Sequence, residues 1–104
     1  MADRIGKDEF EEKVLKSSLP VLVDFYSDSC IACKKLAPSL ARAEEQLAGE
    51  FCFYKVNTNY EKELTDKYEI LARPTLIVFR NGQEADRKTG AQTPRELIGW
   101  LKSF

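Results

Sequence analysis

The stretch Pro20-Val21-Leu22-Val23-Asp24-Phe25-Tyr26 restricts the possible folds more than any other segment. It is rich in β-forming residues and apolar on both faces except at Asp24, so it reads as a strand covered on both sides. Such a strand belongs in the middle of a sheet, parallel to a neighbour, with helices on each face. The following chain fits that reading. Cys33–Leu47 carries Leu36, Leu40, Ala43 and Leu47 at helical spacing, with Gly49 as a stop and Pro38 as an expected kink. Phe51–Val56 then reads as a second strand, and the strand–helix–strand unit is expected to form a right-handed parallel crossover.

The remaining segments are consistent with this plan. Lys7–Lys16 has Phe10 and Val14 at i, i+4 among charged residues, and Glu61–Tyr68 is a short polar helix around Leu64. Thr75–Phe79 is a third strong strand, and Arg80-Asn81-Gly82-Gln83 signals a hairpin into a weaker strand near Glu84–Thr89. Thr93-Pro94-Arg95-Glu96 is a capping box with proline at the first helical position, followed by the apolar stripe Leu97, Leu101 and Phe104. The order α, β, α, β, α, β, β, α predicts a three-layer α/β fold with a central mixed sheet of four or five strands and four helices. At 104 residues the chain has the length of one domain, so residues 1–104 are expected to form a single unit.

Composition narrows the function. Sixteen Lys and Arg against seventeen Asp and Glu leave a formal charge of −1, which gives no basic stripe for nucleic acid or an anionic membrane. The longest apolar stretches, Pro20–Val23 and Thr75–Phe79, fall far short of the ~20 residues that span a bilayer. Met1-Ala2-Asp3-Arg4 is charged and lacks an apolar h-region, so a cytoplasmic protein is expected. The chain contains no histidine. That excludes Ser-His-Asp and Cys-His nucleophile systems, histidine-based zinc sites and the usual general base near neutral pH. A perturbed cysteine, carboxylate or lysine must titrate instead.

Cys30-Ile31-Ala32-Cys33 lies where the first strong strand hands over to the long helix. Residues at i and i+3 share a helix face, which brings the two sulfurs within disulfide reach. The unpaired N–H groups and partial positive charge of a helix N-terminus favour a thiolate, so Cys30 is expected to be the exposed nucleophile and Cys33 the resolving thiol. Three other readings stand beside a redox role. A zinc knuckle needs two more ligands, and only Cys52 remains as a soft one. A copper-type carrier would place methionine ahead of the first cysteine, and Met1 is the only methionine. Two inert buried thiols are the third. The strand–CxxC–helix context favours redox work. Cys52, between aromatic residues, reads as a small core residue, and Trp100 as helix packing.

The segment from Val21 through Cys30-Ile31-Ala32-Cys33 to Pro38 resembles the active-site segment of the thioredoxin family. Arg73-Pro74-Thr75 and Phe79-Arg80-Asn81-Gly82 resemble it too, and the element order agrees over nearly the whole chain. The resemblance implies a thioredoxin-like fold and a thiol–disulfide oxidoreductase that needs no dissociable cofactor and no metal. It implies that Asp24 is the buried acid behind the dithiol, where desolvation raises a carboxyl's pKa; a plainly hydrogen-bonded aspartate is the competing reading. Lys55 matches the family lysine near that acid and could hold it ionised, or it could be an ordinary solvated lysine. Pro74 matches the family's cis-proline, and the Arg73 backbone beside it would pair with an incoming peptide strand. Implied partners are protein disulfides and a thioredoxin-reductase-type electron donor, with the protein working as a monomer.

Four positions depart from the family pattern. Ser29 stands where tryptophan is common, Ile31-Ala32 where Gly-Pro is common, Tyr26 where another tryptophan is frequent, and Arg73 where an apolar residue is usual. The Ala32 N–H could add a hydrogen bond to the Cys30 thiolate, and Arg73 puts a cation nearby. Both would favour the thiolate and make the couple more oxidising. A small residue before a CxxC without Gly-Pro also resembles thioredoxins of amino-acid-fermenting anaerobes. Two rival functions remain: a disulfide oxidase or isomerase, and a non-catalytic module docking partners through Ser29, Ile31 and Arg73.

Overall fold

The computed structural model describes residues 2–104. Its centre is β2 (Val21–Tyr26), which pairs in parallel with β3 (Cys52–Asn57) and antiparallel with β4 (Thr75–Arg80). The full sheet runs β1-β3-β2-β4-β5, with β1 (Asp3–Arg4) parallel to β3 at one edge and β5 (Gln83–Thr89) antiparallel to β4 at the other. The sheet therefore has five strands, at the upper end of the expected number. The additional strand is β1, two residues long with both side chains exposed. Nothing in Asp3-Arg4 alternates, so no periodicity announces it.

Each face of the sheet has its own core. Val21, Val23 and Phe25 of β2 and Ile77 and Phe79 of β4 point to one side. There they meet Phe10 and Val14 of the first helical segment and Leu64 of α3 (Lys62–Lys67). Leu22, Leu76 and Val78 point to the other side, against α2 (Ile31–Gln46) through Leu36, Leu40 and Ala43 and α4 (Pro94–Leu101) through Leu97 and Leu101. Three layers with four flanking helices result, as the patterning predicts.

Local chemistry explains the boundaries. Helix α1 (Lys7–Phe10) widens into a π turn over Glu11–Leu15, where the Lys16 N–H reaches back to the Glu11 carbonyl. Helix α2 starts at Ile31, two residues before the expected Cys33, because Cys30 itself is the N-cap. It runs unbroken through Pro38, whose missing N–H leaves the Lys34 carbonyl without its i+4 partner. The β4–β5 turn holds Asn81 and Gly82 at φ 53° and 78°, the paired left-handed values of a type I′ hairpin. Thr93 Oγ accepts from the Glu96 N–H while the Glu96 carboxylate accepts from the Thr93 N–H, which completes the expected capping box.

Phe10 fastens the first helix to the sheet. It is 2% exposed, edge-on to Phe79 at 5.5 Å and tilted against Tyr68 at 5.4 Å. Phe10→Ala should lower stability by about 3–5 kcal/mol through lost transfer energy and the cavity left behind. Urea unfolding should show this as a lower midpoint with an unchanged slope.

Candidate active site

The end of β2 delivers the chain to the site. After Tyr26 the segment Ser27-Asp28-Ser29 turns, with the Cys30 N–H donating to the Ser27 carbonyl, and Cys30 caps α2 in extended conformation. The Cys30 and Cys33 Cα atoms are 5.2 Å apart and their sulfurs form a disulfide. Cys30 Sγ accepts the Cys33 N–H at 3.0 Å, so the helix N-terminus points a donor at this sulfur. In this disulfide form no bond from the Ala32 N–H to Cys30 Sγ is present among the described residues; the bond expected from the sequence is one to the reduced thiolate.

Three further elements close around the pair. The Arg73-Pro74 peptide is cis, Pro74 is buried, and the Arg73 carbonyl oxygen lies 3.4 Å from Cys30 Sγ. The guanidinium of Arg73 makes its own contact: its Nε–H donates to Thr58 Oγ at 2.9 Å. Ser29 and Ile31 are exposed on either side of Cys30, Ile31 to 72%, and Ala32 is half-buried.

Asp24 lies on the α2 face of β2, 6% exposed, with one carboxyl oxygen buried and unpartnered among the described residues. Burial pushes its pKa up to about 7, against the opposing pull of Lys55. Lys55 is its register partner on β3, yet the two form no ion pair among the described residues. The Lys55 ammonium instead sits 5.5 Å above the Tyr26 ring. Lys55 therefore acts on the Asp24 carboxyl through its charge, lowering the pKa against the larger effect of burial, without an ion pair among the described residues. Asp24, Tyr26, Cys33, Lys34 and Lys55 all line one cleft of about 300 Å³.

Sequence reasoning passed over Asn57 and Thr58, which fasten the site together. Both are buried at the end of β3. Asn57 Nδ2 donates to Asp28 Oδ1 at 3.0 Å, and Thr58 Oγ donates to the Tyr26 carbonyl at 2.9 Å. The polar run Asn57-Thr58-Asn59 ending an apolar strand was the available signal. Two other singled-out residues lie away from this chemistry. Cys52 is a free, half-buried thiol near Ser17 Oγ, less enclosed than the core position expected. Trp100 donates its indole N–H to Asp86 on β5 and packs edge-on against Phe104.

A CxxC disulfide capping a helix beside the central strand of a mixed α/β sheet is the arrangement of a thiol–disulfide oxidoreductase. Comparison with known proteins names the lineage: the family model described as Thioredoxin matches residues 2–103, so this chain belongs to the thioredoxin family. Thioredoxin of Rickettsia bellii is 37% identical over 103 residues, covering 99% of this chain and 98% of that protein. Thioredoxin of Peptoclostridium acidaminophilum is 35% identical, with 90% and 86% covered. The chloroplastic Thioredoxin M4 of Arabidopsis thaliana is 36% identical over 90% of this chain and 48% of its own length. The chain is thus a protein-disulfide reductase of the thioredoxin type. Membership implies, in general terms, protein substrates and a reductase that supplies electrons.

Asp24 makes stability depend on pH. Its ordinary value of 3.8 is raised to about 7 in the fold, so the folded state holds a proton that the unfolded state releases. Stability therefore falls as pH rises from about 4 to about 7, with the full cost present above that. Asp24→Asn should abolish this slope and exceed the wild type at pH 8 by a few kcal/mol, roughly 4 at most at ~1.4 kcal/mol per pH unit. Urea unfolding of the oxidised protein at pH 5 and pH 8 measures it, and an equal gain at both values would refute the assignment.

Proposed function

We propose that Cys30 is the attacking thiol, Cys33 the resolving thiol and Asp24 the group that exchanges a proton with Cys33. Reduced Cys30, as the thiolate, attacks one sulfur of a substrate disulfide. That S–S bond breaks, a mixed disulfide forms, and the departing substrate thiolate takes up a proton. The Cys33 thiol then gives its proton to the Asp24 carboxylate and attacks Cys30 Sγ. The Cys30–Cys33 disulfide forms, the second substrate thiol leaves protonated, and two electrons have passed to the substrate. An external reductase returns them.

The observation that carries this reading is the cleft lined by both Cys33 and the unpartnered, buried Asp24. A carboxyl with a pKa of about 7 is present in both protonation states near neutrality, as an acid–base partner needs to be. On this reading Lys55 tunes the acid from β3 without pairing with it. Ser29, Ile31, Ala32 and the backbone at Arg73 and Pro74 form the surface against which the substrate strand lies. Residues 1–104 act as one domain, in the cytoplasm and as a monomer. Among the described residues no helix is long and apolar enough to cross a membrane.

Cys30→Ser should eliminate disulfide reduction. Cys33→Ser should accumulate a mixed disulfide with substrate, visible as a covalent adduct by non-reducing mass spectrometry. Asp24→Asn should slow resolution of that adduct about 10²-fold near pH 7, a typical loss for one acid–base group. Persistent docking of substrate with no electron transfer in the wild type would instead support a binding module.

A further inference from the structure

Around the dithiol, among the described residues, the cations Arg73, Lys34 and Lys35 stand outside any ion pair. The ion pairs of the described residues lie elsewhere: Lys7 with Glu63, Lys13 with Glu9, Lys16 with Glu11 and Glu12, and Arg87 with Glu84. None engages Arg73, Lys34 or Lys35. Lys34 and Lys35 are exposed in the first turn of α2, at i+3 and i+4 from the exposed Ile31, so they share its side of the helix. The nearest exposed acid of the active-site loop, Asp28, accepts from the Asn57 amide. A chain whose overall charge is −1 thus presents unpaired cations beside its redox pair.

Arg73 is the one of these that is held in place. It is half-buried, and its Nε–H is tied to Thr58 Oγ, which is itself anchored on the Tyr26 carbonyl. A guanidinium fixed through Nε still has four terminal N–H donors in a rigid plane, a geometry suited to a carboxylate. The Arg73 backbone N–H likewise makes no hydrogen bond among the described residues. A substrate strand laid against this backbone would bring the side chains flanking its cysteine alongside the guanidinium.

We propose that the Arg73 side chain is a specificity determinant for acidic protein substrates, reading a carboxylate side chain within two residues of the target cysteine. This rests on the docking of a substrate strand at the Arg73 backbone. Lys34 and Lys35 reinforce the preference through longer-range attraction that accelerates encounter, whereas Arg73 makes the direct contact.

The test uses peptide disulfides identical except for one residue beside the target cysteine, which is Glu, Gln or Lys. The readout is the ratio of kcat/KM for the Glu and Lys peptides within each protein variant, so a general loss of activity cancels. The wild type should prefer Glu by about tenfold, the effect of one partly desolvated charge contact, and lose most of that preference at high salt. Arg73→Gln should bring the ratio close to one. Lys34→Gln with Lys35→Gln should lower it only partly, through kcat/KM at low salt. A wild-type ratio near one overturns the proposal. So does a preference that survives Arg73→Gln, or one that vanishes only in the lysine double variant. Reduction of the neutral Gln peptide separates the two levels: if the wild type does not reduce it at all, the catalytic reading fails, and if it reduces all three equally, only the specificity fails.

Discussion

Because β2 is covered on one face by the first helix and α3 and on the other by α2 and α4, its first five residues are shut off from water. An apolar strand gains from this, at about 25 cal/mol per Å² of surface removed. Asp24 does not. Placed in the same row as Leu22, it faces α2 where neither solvent nor a donor reaches one of its oxygens. The burial that makes β2 the centre of the sheet therefore also raises the carboxyl pKa. The strand's open end is where the chain must turn, and there Cys30 caps the N-terminus of α2. Core, buried carboxyl and dithiol follow from the position of one strand.

The site is assembled from three loops at the same end of the central strands, and short polar side chains join them. Thr58 receives the Arg73 guanidinium and donates to Tyr26, which links the loop before β4 to the end of β2. Asn57 holds Asp28 from below and accepts the Asn59 N–H through its own side-chain oxygen. Asn57 and Thr58 are themselves buried, so removing one of their partners would leave a buried polar group unsatisfied at about 1–3 kcal/mol. The loops carrying Cys30 and Arg73 are consequently not independent, and the 3.4 Å approach of the Arg73 carbonyl to Cys30 Sγ depends on both.

What could be read from the sequence were features governed by local chemistry. The apolar run of β2, the Asn81-Gly82 turn and the Thr93–Glu96 box each reflect a backbone requirement that few residues satisfy, and each appears where expected. Features that depend on packing against something distant were hidden. The strand β1 exists because β3 offers an unpaired edge, not because Asp3-Arg4 favours extension. The π turn at Glu11–Leu15 adds a residue to a helix whose apolar spacing looks ordinary. The dithiol was legible from its spacing and its place between strand and helix, whereas Asn57 and Thr58 looked like common loop residues. Their importance comes from what the fold brings to them.

Lys55 shows how register can bring two opposite charges close without joining them. Register places it opposite Asp24, and charge alone would join the two. Had they paired, the ammonium would have drawn the carboxyl back toward the ordinary aspartate range, leaving it ionised at neutral pH. The ring at Tyr26, on the same face of β2, offers the cation an alternative at 5.5 Å that leaves its ammonium at the mouth of the cleft. A tyrosine in place of the family's frequent tryptophan preserves an aromatic face there, while burial outweighs the pull of Lys55 and holds the carboxyl pKa at about 7.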